Sequence, residues 1–260
     1  MVAGIIGVIV ASYLQRAEKD PGPMVEEARG SGKSAVPELE VSDDPGQRRA
    51  DFDFYLLAMS VHRAFCADHE GKPECRVPAS PPLATRRGLV IHGLWPEKLE
   101  ARAYPRDCPA PALDLEPALA RELADFMPGM QSGLHAHEWR KHGACSGLGD
   151  DEYFRRTLEL ARRIDAALAP ELTTRAGGTA TPDDLRAAAD RLDPGLGATL
   201  TFHCRTRRGA LERGRPLLFE VRQCLDDDGA HGGPGTPLAC TRVNRRDQGC
   251  GRSFQVAEAR

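Results

Sequence analysis

Apolar residues along the chain recur with two different periods, and each period predicts a different kind of element. Alternation with a period of two predicts a strand that begins near Phe52 and two further strands at 198–204 and 217–224. A short, continuous apolar run at 88–91 predicts a buried strand. The C-terminal third of the chain is therefore predicted to be rich in β structure.

Between these strands, apolar residues recur with the spacing of a helix. One run covers 115–126, and a second covers 154–168 and is predicted to end at Pro170. Thr181, which is followed by a proline and two aspartates, is typical of the start of a third helix. The apolar stripe of the second helix indicates packing in a core and not a cofactor site.

The first fifty residues differ from the rest of the chain in composition. Residues 2–14 are apolar except for one serine and one tyrosine, and this run is shorter than the roughly 20 residues that span a membrane. We expect 1–15 to be a signal peptide or a short signal anchor, with a buried strand as the alternative. Residues 16–50 are rich in proline, glycine, serine and charge, which predicts a disordered linker. The folded domain is expected over 51–260.

Eight cysteines bear on the compartment of the protein. All of them follow residue 60, and no C-x-x-C pair is present. The simplest interpretation is four disulfides in an oxidising compartment, so we expect a periplasmic or secreted protein. Cys66 and Cys75 enclose a short polar loop and are expected to pair. The net charge of −3 does not favour a basic protein, so any nucleic-acid site must be a local patch.

A stretch that begins at His137 concentrates acid–base groups. If this stretch is helical, at about 100° per residue, its polar groups share an arc of about 140°. These groups are His137, Glu138, Lys141 and His142. Trp139 would point to another face. The spacing therefore predicts a short helix that aims an acid–base cluster at one point.

Two other interpretations of this stretch stay open when it is taken alone. Charged residues on a short helix commonly form a solvated face. A zinc site of the His-Glu-x-x-His type needs histidines four residues apart, whereas His137 and His142 are five apart and diverge by about 140°. Ser132 is expected to cap the helix and Gly143 to end it.

A second stretch, 91–97 (IHGLWPE), decides between these interpretations. The two stretches together closely resemble the two active-site motifs of the ribonuclease T2 family, in particular its bacterial periplasmic or secreted members that are similar to ribonuclease I. The resemblance extends over roughly 51–260. It implies an α+β fold in which an antiparallel sheet is packed against helices and stapled by disulfides.

The resemblance also implies a function for each polar residue. It implies an endoribonuclease that cleaves single-stranded RNA without a metal or other cofactor, through 2′,3′-cyclic phosphates to 3′-phosphate ends. Imidazole suits the proton transfers because it titrates near neutral pH. The implied roles are an acid–base pair of His92 and His142, a phosphate contact from His137, and transition-state stabilisation by Glu138 and Lys141. Which histidine is the base stays open, and we favour His142 as base and His92 as acid.

Two residues of the second stretch are expected to bind substrate. Trp95 resembles the family's base-stacking residue, and Glu97 follows where a carboxylate could accept hydrogen bonds from an exocyclic amine. A tryptophan of the core is the alternative for Trp95. His62 and His203 are expected to be surface histidines.

The resemblance further implies a disulfide between Cys108 and Cys145. For the remaining cysteines we expect Cys204–Cys250 and Cys224–Cys240, although other pairings stay open. A non-catalytic RNA-binding or signalling protein that retains this fold is the alternative function, and a disulfide-stapled metallohydrolase is a third. The expected partner is RNA alone, with a monomeric chain, no obligate protein partner and a membrane anchor as an option at the N-terminus.

Overall fold

The computed structural model describes residues 49–76, 88–100, 104–206, 215–227 and 234–258. The strands within these ranges belong to one sheet. They are β1 (Phe54–Val61), β2 (Leu89–Glu97), β3 (Thr179–Ala180), β4 (Leu200–Arg205), β5 (Leu217–Asp227), β6 (Pro234–Pro237) and β7 (Phe254–Gln255). Their order is β2-β1-β5-β7-β3, with β4 and β6 also paired to β5, so that β2 lies at one edge. The predicted antiparallel pairing is confirmed except between β5 and β7, which are parallel.

The α-helices lie mostly between β2 and β4 in the chain, as the periodicity predicts. They are α1 (His62–Asp68), α2 (Pro117–Phe126), α3 (Leu134–Lys141), α4 (Asp150–Thr174) and α5 (Pro182–Leu192). The predicted cap of α5 is confirmed, because the Thr181 hydroxyl accepts a hydrogen bond from the Asp184 amide and the Asp184 carboxylate accepts one from the Thr181 amide.

The predicted end of α4 at Pro170 is wrong. The helix continues to Thr174 with Pro170 inside it. A proline removes one backbone hydrogen bond from a helix and strains the preceding turn. The last turn nevertheless forms because Leu172 is buried in the core, and the Thr174 hydroxyl donates a hydrogen bond to the Pro170 carbonyl at 2.9 Å. Packing therefore outweighs the local signal of the proline.

The two faces of the sheet have different surroundings. All residues of the central strand β1 are buried, and alternate ones point to opposite faces. Tyr55, Leu57, Met59 and Val61 belong to the large core, which also contains apolar side chains of α2, α3, α4 and α5. Phe54 and Leu56 belong to a smaller cluster that includes Cys224 and Cys240. The helices thus cover one face and leave part of the other face for a site.

The disulfide predictions are confirmed. The structure contains Cys66–Cys75, Cys108–Cys145, Cys204–Cys250 and Cys224–Cys240. Cys224–Cys240 ties β5 to the segment that follows β6, and Cys204–Cys250 ties β4 to the segment before β7. These two bridges therefore fix the C-terminal segments against the centre of the sheet.

The packed chain begins before the predicted boundary at residue 51. The Ala50 amide donates to the Cys145 carbonyl at 3.0 Å, and the Arg49 guanidinium pairs with Asp227 and lies over the Phe52 ring. The last two residues of the predicted linker therefore contact the folded domain. The predicted signal or anchor at 1–15 and the rest of the predicted linker lie outside the described residues.

No helix within the described ranges is long and apolar enough to span a membrane.

Candidate active site

His92 lies at an irregularity in the edge strand β2. Gly93 pairs with Ala58 and Ile91 pairs with Met59, so His92 is an extra residue opposite two consecutive residues of β1. A bulge of this kind turns a side chain out of the regular alternation, and bulges are frequent beside active sites. Residues 92 and 95 would point to opposite faces of a regular strand, and the extra residue lets His92 and Trp95 share a face, with ring centroids 5.1 Å apart.

Strand register places further polar side chains beside His92. Ala58 of β1 has Gly93 of β2 on one side and Arg222 of β5 on the other, and Ser60 lies opposite Glu220. Directly paired residues on neighbouring strands point to the same face of a sheet. Arg222 and Glu220 therefore share a face with Gly93, and it is the face opposite the helices.

The helix α3 brings a carboxylate to this group from the edge of the sheet. Glu138 is buried, and its Oε2 accepts a hydrogen bond from the Trp95 indole N–H at 2.7 Å. Trp139 points the other way, is buried in the core, and donates its N–H to the Pro111 carbonyl at 3.3 Å. The prediction that Trp139 turns away from the polar cluster is confirmed.

The predicted start of this helix is wrong, and its predicted end at Gly143 is confirmed, because Gly143 directly follows the C-cap residue. The cap position is Gly133, with φ at 80°, a conformation that favours glycine. Ser132 instead donates its hydroxyl to Glu74 Oε1 at 2.8 Å. At the other end the helix stops at Lys141, and His142 has φ −125° and ψ −53°. The backbone conformation of His142, and not a continued helix, therefore determines where its side chain points.

Two glycines allow groups to approach closely here. A Cβ on Gly93 would collide with the Glu138 carboxylate and the Trp95 indole nitrogen. A Cβ on Gly143 would lie 2.5 Å from Trp139 Cε3 and 3.0 Å from Tyr153 Cε1. Both glycines are required for packing. At Gly143 this requirement comes in addition to its predicted role at the end of the helix.

His92 lies between two carboxylates. Its Nδ1 is 2.8 Å from Glu220 Oε1, and its Nε2 is 4.0 Å from Glu138 Oε1. A carboxylate accepts hydrogen bonds, so Nδ1 carries the proton in the bond to Glu220. Burial disfavours the imidazolium, but the hydrogen bond and charge of Glu220, together with the charge of Glu138, outweigh burial and raise the pKa of His92.

The two hydrogen-bond partners of Glu220 stabilise its ionised form. Its Oε2 accepts a hydrogen bond from Arg222 Nε at 2.6 Å, and Oε1 accepts the one from His92. Burial alone would raise the pKa of Glu220, but the bond from His92 and the charge of Arg222 lower it to about 2. The Arg222 guanidinium also lies over the Trp95 ring, 5.2 Å from its centroid. Arg222, Glu220 and His92 thus form a chain of contacts that ends at an imidazole.

The pKa of Glu138 is shifted in the opposite direction from that of Glu220. Burial raises the pKa of Glu138, and the charges of His92, His137 and Lys141 together with the Trp95 N–H oppose this without cancelling it. Its side chain is 3% exposed. The Trp95 N–H is therefore a partner that a buried carboxylate needs.

His142 is buried and also contacts Trp95. Its ring centroid lies 5.5 Å from that of Trp95 and 6.1 Å from that of Tyr104. Burial, followed by the charges of Lys141, His137 and His92, lowers the pKa of His142 to about 3. Its Nδ1 is buried and has no hydrogen-bond partner among the residues that the structure describes.

The remaining predicted catalytic residues also lie on α3. His137 is exposed, and Lys141, the last residue of the helix, is half-buried. Both are close enough for their charges to act on His142 and Glu138. The structure thus brings all five predicted catalytic residues into one region.

A cleft of about 460 Å³ opens beside this region on the same face of the sheet. It is lined by Leu56, Glu97, Leu99, Tyr104, Thr201, His203, Arg222, Asn244, Arg245, Arg246 and Gln248. Within it, Glu97 Oε2 accepts a hydrogen bond from Arg245 at 3.0 Å. Burial raises the pKa of Glu97 although Arg245 opposes the shift. The cleft is locally basic, because three arginines face one carboxylate.

Neither of the two histidines expected at the surface lies there. His62 is 6% exposed, and its Nε2 is 3.5 Å from the Cys66 sulfur. His203 lies opposite Glu220 in the β4–β5 pairing and lines the cleft. Burial and the charge of Arg222 lower the pKa of His203 to about 4. The prediction that His203 lies opposite the apolar face of β4 is confirmed. The face on which His203 lies is the one that carries the site.

A covalent bridge and a backbone bond place Tyr104 beside His142. The Cys108–Cys145 disulfide joins the segment after β2 to the turn that follows α3. The Asp107 amide donates to the Lys141 carbonyl at 2.9 Å. The two links hold this segment against the C-terminal end of α3, where His142 lies.

Several residues of the site were missed by sequence reasoning. They are Tyr104, Glu220, Arg222 and Arg245. A carboxylate inside the apolar run of β5 was a usable signal, because a buried glutamate needs partners. Tyr104 was a usable signal as well, since aromatic residues make up 5% of the chain and few stacking surfaces exist.

Comparison with known proteins shows the family of this chain. The model of the ribonuclease T2 family matches residues 52–232. The chain belongs to the ribonuclease T2 family. A ribonuclease of Aeromonas hydrophila is 32% identical over 185 residues, which cover 69% of this chain and 74% of the relative. Ribonuclease I of Escherichia coli K12 is 30% identical over 175 residues, which cover 53% of this chain and 64% of the relative.

Solved structures of this family share the fold. Ribonuclease MC1 from bitter gourd seeds superposes with a TM-score of 0.58 at 23% identity, over 78% of this chain and 100% of that protein. A mutant of ribonuclease MC1 in complex with 5′-UMP gives a TM-score of 0.60 at 23% identity, over 79% and 99%. The predicted α+β fold of the ribonuclease T2 type is confirmed.

Proposed function

We propose that this ribonuclease T2-family endoribonuclease cleaves single-stranded RNA by acid–base transesterification that needs no metal ion. The products would be 2′,3′-cyclic phosphates, which a second step opens to 3′-phosphates. One observation carries this proposal. His92 and His142 contact the same tryptophan, with ring centroids 5.1 Å and 5.5 Å from that of Trp95, and their pKa values are shifted in opposite directions.

Opposite protonation states suit the first step of this reaction. Neutral His142 accepts the proton of the 2′-hydroxyl, whose oxygen attacks phosphorus. The bond from phosphorus to the 5′-oxygen breaks, and His92 donates its Nε2 proton to that oxygen. His92 keeps its Nδ1 proton and its bond to Glu220 throughout. In the second step His92 takes a proton from a water molecule whose oxygen attacks phosphorus, the bond from phosphorus to the 2′-oxygen breaks, and His142 returns its proton to that oxygen.

The low pKa of His142 is a property of the protein without substrate. A general base is most effective when its pKa is near the working pH. Positive charges on Lys141, His137 and His92 lower the pKa of His142, and a phosphodiester bound among them would offset those charges. RNA would therefore raise the pKa of His142 toward the working range as it binds.

The other groups have roles in charge and position. Lys141 and His137 would meet the phosphoryl oxygens, where negative charge grows in the transition state. Glu138 would hold His92 in its protonated form. A base would enter the cleft, with Tyr104 in its lining and Trp95 next to the cleft residue Arg222 as aromatic surfaces, and Glu97 as an acceptor for an exocyclic amine. The local excess of arginine in the cleft would attract the RNA backbone although the chain as a whole has net charge −3.

We also propose that the protein is exported. Four disulfides support folding in an oxidising compartment. The named compartment, a monomeric state and an N-terminal anchor stay predictions.

The test is cleavage of single-stranded RNA by purified protein with EDTA present, with products identified by mass. We expect cyclic phosphates that appear first and decline as 3′-phosphates form. The same oligonucleotide with 2′-deoxyribose at each position is the control and should stay intact, because it lacks the nucleophile. Loss of cleavage in EDTA with recovery on added zinc or magnesium would contradict the mechanism. Binding without cleavage would favour a non-catalytic RNA-binding protein.

A further inference from the structure

Strand β5 contributes two charged residues to the site that neither active-site motif contains. Glu220 and Arg222 are neighbours on one face of β5, and Arg222 Nε donates to Glu220 Oε2 at 2.6 Å. The second oxygen of the same carboxylate binds His92 Nδ1 at 2.8 Å. Glu220 is buried, so this ion pair is shielded from water more than a surface pair would be.

We infer that Glu220, held by Arg222, is a positioning residue that fixes the tautomer of His92 and keeps this imidazole protonated for its role as acid. This inference rests on the proposed function for its catalytic part. A carboxylate that accepts from Nδ1 leaves Nε2 as the atom that gains and loses the catalytic proton. Glu138 lies on the Nε2 side at 4.0 Å and adds a second negative charge near the ring.

Arg222 makes Glu220 suitable for this role. A lone buried carboxylate tends to take up a proton, and a protonated Glu220 could not stabilise an imidazolium. The Arg222 guanidinium keeps Glu220 ionised. Its own position is fixed from two sides, by the bond to Glu220 and by the Trp95 ring below it at 5.2 Å. The same arginine also lines the cleft, so it connects the His92 side of the site with the substrate side.

Three charged groups therefore act on the protonation of His92. They are Glu220 and Arg222 on β5 and Glu138 on α3, and His142 after α3 is a fourth titratable group nearby, whose own pKa the charge of His92 lowers. Removal of the Glu220 charge leaves one carboxylate near His92 and leaves Arg222 without its partner. Both changes disfavour the imidazolium, so they act in the same direction on His92.

Nitrogen NMR of the imidazole tests the pair without reference to activity. In the wild-type protein, we expect His92 to keep its Nδ1 proton through the whole pH titration. In Glu220→Gln, which is nearly isosteric, we expect the pKa of His92 to fall by about one pH unit or more. Glu220→Asp keeps the charge and should restore part of the shift. A neutral wild-type His92 with its proton on Nε2 would overturn the inference, and so would an unchanged pKa in folded Glu220→Gln.

Kinetics with two substrates test the catalytic part. A dinucleotide needs an acid to protonate its leaving 5′-oxygen, whereas a nucleoside 3′-(p-nitrophenyl phosphate) releases a stable phenolate and does not. We expect Glu220→Gln to lower kcat for the dinucleotide about tenfold or more, with little effect on the aryl ester. The alkaline limb of the dinucleotide pH profile should move to lower pH. Equal losses on both substrates would overturn the link to the acid.

Glu171→Gln is a matched control. Glu171 also binds two arginines, Arg175 at 2.5 Å and Arg191 at 2.8 Å, but it lies on α4 away from the site. This variant should leave both substrates and the pKa of His92 unchanged. If the wild-type protein itself does not cleave RNA, the proposed function fails, while the NMR titration still decides whether Glu220 controls His92.

Discussion

Substitution of Trp95 by phenylalanine separates two roles of one side chain. As a base platform, Trp95 offers an aromatic face, which phenylalanine keeps in part. As a partner of Glu138, it donates an indole N–H at 2.7 Å, which phenylalanine lacks. The Glu138 carboxylate is 3% exposed, so no solvent molecule easily replaces the lost donor. The substitution therefore leaves the face and removes the bond.

The lost hydrogen bond to Glu138 determines the expected size of the effect. A hydrogen bond to a charged group contributes about 1.5–3 kcal/mol to stability, and if the transition state alone depends on this bond, its loss corresponds to about a ten- to hundredfold change in rate. We expect kcat of Trp95→Phe on a dinucleotide to fall by that factor, with a smaller change in KM. The bond also lowers the pKa of Glu138, so its loss raises this pKa further and moves the acidic limb of the pH profile upward.

The assay is steady-state kinetics with thermal unfolding of the same samples. The control is Trp139→Phe, at the other tryptophan of the chain, whose N–H bonds to a neutral carbonyl at 3.3 Å in the core. The control should lower the melting temperature and leave kcat of the folded enzyme nearly unchanged. An unchanged kcat in Trp95→Phe with raised KM would refute the role of the N–H. A large loss of stability with normal kcat and KM would assign Trp95 to the core.

Three further predictions follow from the site. His92→Ala and His142→Ala should each lower kcat by about 10²–10⁴-fold, and the double variant should lose less than the product of the two single losses. His69→Ala is the control and should leave kcat nearly unchanged, because the Nδ1 of His69 lies 2.9 Å from the Phe65 carbonyl on α1. Because the pKa of His142 falls from 6.5 to about 3 on folding, the unfolded chain binds more protons in this window. When the pH is lowered from 7 to 5, urea titrations should show the free energy of unfolding of the wild type falling by about 2 kcal/mol more than that of His142→Gln. Joint replacement of Cys108 and Cys145 by serine should lower the unfolding free energy by about 2–4 kcal/mol.

Residues that act within one short stretch could be predicted from the sequence. The α5 cap at Thr181 depends on contacts three residues apart, and it forms as expected. The apolar stripes of α2 and α4 likewise depend on local spacing. The two active-site stretches place all five predicted catalytic residues, because each stretch carries its chemistry within a few positions.

Residues that act across the sheet could not be predicted. Glu220 is 128 positions from His92, and their contact depends on the register of both strands against β1. The bulge that lets His92 and Trp95 share a face is also a property of paired strands. A one-residue slip in the register would move Glu220 to the other face. A sequence alone does not contain that register, so the positioning pair becomes visible after the sheet is built.

His142 shows a different limit. A helical arc placed it correctly beside the other polar groups, but for the wrong reason, since the residue lies after the helix. Its direction depends on Gly143, which lets the chain pass close to Trp139 and Tyr153. Spacing rules assume a continued helix and therefore miss a side chain whose position comes from the turn that follows it.

The position of the disulfides explains how such a site stays folded. A buried polar atom without a partner, such as Nδ1 of His142, costs about 1–3 kcal/mol. The Cys108–Cys145 bridge, three residues after His142, closes a separation of 37 residues, and a disulfide typically contributes about 2–4 kcal/mol. The bridge is thus large enough to offset the local cost of a base that is kept neutral by burial. The same bridge holds Tyr104 next to His142, so reduction should weaken the fold and open the substrate side of the site together.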